Sequence, residues 1–66
     1  MIIRYKYNVE KDIIHTIHEG ETSDAMLPRR GDSIEFKDEP LTYRVDNITW
    51  EVDDACRSVA VNIVLV

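Results

Sequence analysis

Several short constellations in this chain hold residue types capable of chemistry. His15, His18 and Glu19 put two imidazoles and a carboxylate within five residues. On a helix, positions i and i+3 share a face and could ligate one metal ion; on a strand they point to opposite sides. No third histidine exists, so surface or half-buried imidazoles are the preferred reading and no metal site is expected. Asp38-Glu39 and Asp53-Asp54 are adjacent acid pairs of the kind that bind divalent cations or share acid–base work. Both fall in expected turns, where acids bond local backbone amides, and no nucleophile or positioned base accompanies them. Cys56 stands beside Arg57, a cation that can lower a thiol pKa, but no histidine is spaced to complete a nucleophilic pair. No catalytic set, cofactor site or enzyme activity is expected.

The other candidates are groups that make contacts. Arg29-Arg30 can meet a phosphate or a carboxylate. Tyr5, Tyr7, Tyr43 and Trp50 are aromatics at strand spacing, a pattern that ordinarily marks a core; an exposed Trp50 would be the natural anchor of an interface. Arg30-Gly31-Asp32 and Asn47-Ile48-Thr49 match adhesion and glycosylation motifs by letter, and both are read as coincidence without a secretory context. The expected protein-contact residues are Arg29, Arg30, Asp38, Glu39, Trp50, Asp53 and Asp54.

The elements that must position these residues are read from periodicity. Met1 to Val9 alternates, with Ile3, Tyr5 and Tyr7 facing the core, and is a strand. Residues 10–20 are ambiguous. Ile13, Ile14 and Ile17 suit one helical face, whereas Ile13, His15 and Ile17 alternate; the strand is preferred, paired back on the first through a turn at Val9–Asp12, and the helix stays open. Residues 19–30 are a loop, long for so small a domain and of the kind that often carries function. Ala25-Met26-Leu27 is expected to anchor it. Pro28, Gly31 and Asp32 then form a turn that launches a strand from Ser33 to Lys37 with Ile34 and Phe36 inward. Lys37 to Pro40 is the next turn. In the strand from Leu41 to Val52, Leu41, Tyr43 and Val45 keep one phase and Ile48, Trp50 and Val52 the other. One extra residue at Asp46-Asn47, a β-bulge, accounts for the switch. After a turn at residues 53–57, Ser58 to Val66 is apolar on both faces, with Val59, Val61, Ile63 and Leu65 on one side. Such a strand is either central in a barrel or paired with a second chain.

Sixty-six residues form one domain with a marginal core. A single cysteine excludes an internal disulfide and points to a reducing, cytoplasmic setting. No apolar run approaches a membrane span, and the charged start does not suit a signal peptide. The net charge of −5 is unevenly placed. Residues 1–31 balance five acids against five bases, while residues 32–54 carry eight acids and two bases. A surface of that sign repels nucleic acid and favours a basic protein partner. It also serves simply to keep a small protein soluble.

Taken in order, LPRRGDSIEF, LTYRVDNITWEV and VAVNIVLV resemble a pattern in small SH3-like barrel proteins of bacteria and phages. It consists of a Pro-x-x-Gly-Asp turn, a strand, a tight turn, Tyr-x-Val and a Val-rich last strand. The resemblance covers residues 27–66 and implies a fold without carrying catalytic residues across. The expected fold is all-β, a five-stranded SH3-like barrel or strongly bent antiparallel sheet. The resemblance and short length together suggest a phage- or mobile-element-encoded protein. The expected function is binding and inhibition of a host macromolecule, such as a nucleic-acid-handling defence complex, in the host cytoplasm. The alternative is a self-assembling structural or ligand-sequestering protein, a homo-oligomer through the C-terminal strand. A nucleic-acid-binding module is disfavoured by the charge.

Overall fold

The computed structural model describes residues 1–10, 13–23 and 27–66. The described residues hold five strands: β1 (Ile2–Glu10), β2 (Ile13–Glu21), β3 (Ser33–Glu35), β4 (Thr42–Val52) and β5 (Ser58–Leu65). They form one sheet in the order β2-β1-β5-β4-β3. The protein is thus all-β, and of barrel and bent sheet it is the open, curled form: β2 and β3 are opposite edges that share no ladder. Residues 13–21, left between helix and strand by their pattern, are strand. The expected turn at Val9–Asp12 includes Lys11 and Asp12, which lie outside the described residues, as do Ala25 and Met26 of the expected loop anchor; Leu27 packs against the core.

The sheet is mixed. β1 pairs antiparallel with β2 but parallel with β5, in register from Ile2↔Ala60 to Tyr7↔Leu65. β4 runs antiparallel to β5. β5 is therefore central, with a ladder on each side, which accounts for its apolar character on both faces. Of the two places expected for this strand, central or paired with a second chain, the sheet gives it the central one, and Val66 itself exchanges both backbone bonds with Arg44 (2.9 and 3.1 Å).

The register assigns the inner face. Ile3, Tyr5 and Tyr7 lie beside Val61, Ile63 and Leu65, and these beside Trp50, Ile48 and Val45. Val61, Ile63 and Leu65 are wholly buried and form the core with Ile3, Tyr43 and Val45. The bulge expected at Asp46-Asn47 is present: Val45 pairs with Leu65 and Asn47 with Val64, leaving Asp46 as the extra residue. A second register shift makes Val59 extra, since Glu51 pairs with Ala60 and Val52 with Ser58. Val59 is consequently exposed rather than in phase with Val61.

Turn chemistry fixes the connections. The Asp32 carboxylate accepts the Arg29 N–H at 2.7 Å, and Gly31 (φ 93°) supplies the left-handed residue. Gly31 N–H then donates to Val45 and Val45 N–H to Asp32, both at 2.9 Å, which extends the pairing of β3 with β4. Asp53 organises the β4–β5 turn. One carboxylate oxygen accepts the N–H groups of Ala55 (2.9 Å) and Arg57 (3.0 Å), and the other meets the Arg57 guanidinium at 3.1 Å.

Candidate interaction surfaces

Four features arise from this sheet. The first is an ionic bridge on the outer face. Arg4 of β1 faces Glu19 of β2 on one side and Asn62 of β5 on the other. Its guanidinium donates to Glu19 at 2.9 Å and reaches over β5 to Glu51 of β4 at 2.6 Å. One side chain thereby ties β2, β1 and β4 together, bridging across β5. The hydrogen bond from Arg4 holds the Glu51 carboxyl below the usual carboxylate range, with a smaller contribution from Asn62; the bonds to Glu51 and Glu19 in turn raise Arg4. Asn62 is 5% exposed, and its Oδ1 has no partner among the described residues.

A depressed carboxyl pKa has a definite consequence for stability. Its contribution is complete above the unfolded value, near 4.5, and is lost as pH falls through the lower folded value. Acid unfolding of Glu51→Gln should accordingly show a shallower dependence on pH below 4.5 than wild type. Parallel acid limbs in urea titrations would show that the bridge does not couple to folding.

The second feature is an aromatic seam on the inner face. His18 stacks on Phe36 with centroids 4.0 Å apart, and its Nε2 lies 2.7 Å from Glu39 Oε1. Phe36 meets Tyr5 edge-on at 5.1 Å and Tyr43 at 5.7 Å, and Tyr43 meets Tyr7 at 5.1 Å. Burial pushes the phenols of Tyr5 and Tyr43 up, and Glu39 and Tyr7 add to the rise at Tyr43. A bulge decides the position of His15 and His18. They register against Tyr7 and Tyr5, so both lie on the inner-face side, correcting the expectation that strand spacing sends them to opposite sides. Among the described residues no three of His, Cys, Asp and Glu gather as metal ligands.

The third feature is a set of exposed acids. Asp38, Asp46 and Asp54 enter no ion pair among the described residues, whereas Glu39 is held by His18 and Asp53 by its own turn. The expected contact residues do not form one patch. Asp38-Glu39 and Asp53-Asp54 lie beyond opposite ends of β4, on the order of 30 Å apart along an eleven-residue strand. Arg29 and Arg30 sit between them, next to the bulge, because Gly31 bonds to Val45. Exposed Cys56 lies in the second turn at φ 60°.

The fourth feature is Trp50, 44% exposed at the rim of the inner face, with Val52 and Val59 exposed at the same end of the sheet. Sequence reasoning missed Arg4, Glu51 and Asn62, singled out Glu19 only as a metal-ligand candidate, and missed Phe36 as the centre of the seam. The only signal for either was strand alternation, which says which face a residue takes but not which strand lies alongside.

These features define a small, curled all-β protein with polar and aromatic surfaces. Comparison of the chain with family models, with curated proteins and with solved structures gives no match.

Proposed function

We propose that the chain is a small acidic interaction protein that docks on a basic surface of a macromolecular partner. The reading extends to inhibition: a surface that normally binds nucleic acid, as in a host defence complex, carries the complementary charge, and a phage or mobile element is the kind of source such an inhibitor suggests. The observation that carries the reading is the placement of the unbridged acids. Asp38, Asp46 and Asp54 all belong to β4 or the turns beside it, in the stretch where eight acids face two bases. Glu19, Glu21, Glu51 and Asp53 are bridged within the fold by Arg4, the Met1 ammonium or Arg57, and Asp32, Glu35 and Glu39 are hydrogen-bonded to Arg29, Thr42 and His18. Unbridged charge of one sign steers association and makes it salt-dependent.

The test is affinity capture with the full chain at low and high salt, beside the triple variant Asp38→Asn, Asp46→Asn, Asp54→Asn. Asparagine tolerates the left-handed backbone at position 38, so the fold is kept. The expected result is a partner released by salt, competed by nucleic acid and lost with the variant. Capture indifferent to both salt and variant would refute the acidic docking surface.

Self-assembly is a second reading, supported by the long outer edge of β2, where Ile13 and Ile14 are 43% and 52% exposed. Assembly through that edge predicts dimer at low micromolar concentration in sedimentation, abolished by Ile14→Lys. A strict monomer removes it.

A further inference from the structure

The edge of β4 is only half used. β3 pairs with it at Thr42, Tyr43 and Arg44, and Gly31 and Asp32 extend the bonding to Val45. Beyond the bulge, no strand among the described residues pairs with the outer edge of β4. Arg44 exchanges both backbone bonds with Val66, and antiparallel alternation resumed after the bulge turns the N–H and C=O groups of Ile48 and Trp50 away from β5. Unpaired groups of this kind are a template for another strand. The side chains beside them are sorted by face: Ile48, Trp50 and Val52 inward, Asn47, Thr49 and Glu51 outward.

Charge selects the occupant. From Asp46 to Asp54 the chain has four acids and no base; Glu51 and Asp53 are bridged by Arg4 and Arg57, while Asp46 and Asp54 enter no ion pair among the described residues. A second copy of this edge would bring like charges together, whereas a basic strand would meet opposite ones. The other outer edge, β2, differs: its Glu19 and Glu21 are answered by Arg4 and the Met1 ammonium.

We propose that the outer edge of β4 from Asn47 to Val52 takes an extended basic segment of a partner protein as an added strand, with Trp50 as its anchor. The main chain supplies the ladder and Trp50 the apolar contact, so the segment alternates basic residues beside Thr49 and Glu51 with apolar ones beside Trp50. The inference rests on the acidic-docking reading and names where and how a partner would bind.

The probe is the peptide Lys-Val-Arg-Val-Lys-Val-Arg, titrated at low salt into the ¹⁵N-labelled full chain. Two further peptides accompany it: one N-methylated at alternate residues to remove ladder donors, and one with glutamate in place of every base. The expected result is amide shifts at Ile48, Trp50 and Val52 with a shift of the Trp50 indole. N-methylation and Trp50→Ala should each weaken binding about tenfold. Equal binding of the N-methylated peptide, or shifts scattered over Asp38, Asp46 and Asp54, would overturn the added strand while leaving acidic docking intact. Shifts confined to β2 would also overturn it. No response to either basic peptide, or an equal response to the glutamate peptide, would overturn both readings.

Discussion

Ile63→Ala should remove much of the stability of this chain and leave a large unfolded fraction before denaturant is added. Ile63 is fully buried on the central strand, between Tyr5 of β1 and Ile48 of β4. Truncating a buried isoleucine to alanine costs about 2–5 kcal/mol, the transfer term plus the cavity left behind. A domain of 66 residues has only about 3–10 kcal/mol in total at ordinary stability per residue. The site cannot collapse easily, because Val61 and Leu65 on the same strand and face are also wholly buried and already held in register by ladders on both sides. Ile14→Ala is the control: the same chemistry on an exposed edge position should cost under about 1 kcal/mol. Urea unfolding followed by circular dichroism separates them. Coincident curves for the two variants would mean that the central strand does not carry the core.

The reason this core was legible in the sequence lies in period two. Ile3, Tyr5 and Tyr7 announce their face, and the phase switch between Val45 and Ile48 announces the bulge, because nothing short of an extra residue keeps both apolar sets on one side. Both faces of β5 are largely apolar towards its end, which says buried on two sides and so left only a central place or a partner chain. The order of strands was not legible. Parallel pairing of β1 with β5 joins residues nearly sixty positions apart, and no local pattern encodes which distant edge a strand will meet. Everything that depends on that neighbour was hidden with it. Arg4 reads as an ordinary outward residue of an amphipathic strand until β5 places Glu51 within its reach. Asp53 and Asp54 look equivalent in sequence, yet the turn closes its bonds on Asp53 and leaves Asp54 exposed. The candidate contact residues were therefore identifiable by type, as acids in turns and an aromatic on a strand, but not by arrangement.

Phe36→Ala is the second large effect expected, and it differs from the first in where the loss falls. β2 and β3 are the two edges of the sheet and share no backbone ladder, so the curl is closed at this seam by side chains. Phe36, just past β3, is the residue that touches both sides. It stacks on His18 of β2 at 4.0 Å, and it meets Tyr5 of β1 and Tyr43 of β4 edge-on. Each aromatic pair contributes about 0.5–1.5 kcal/mol beyond area burial, and truncation of a buried phenylalanine costs about 3–5 kcal/mol. Phe36 is half-buried, which puts the expected loss near the lower end, about 3 kcal/mol. The bond from His18 to Glu39 cannot replace it, since an exposed imidazole–carboxylate pair contributes at most about 1 kcal/mol. β2, an edge strand like β3, has one ladder only, so it should open before β5. Hydrogen exchange of Phe36→Ala should show protection falling at β2 amides while β5 amides, paired on both sides, keep most of theirs. Phe36→Leu restores apolar volume without the stack and should recover roughly half of the loss, with His18 released from its fixed orientation. Uniform loss of protection across β2 and β5 would instead make Phe36 an ordinary part of a single cooperative core. The seam would then contribute nothing of its own, and the curl would have to be set by the bulges at Asp46, Ile17 and Val59, which bend and twist the strands without any contact between the two edges.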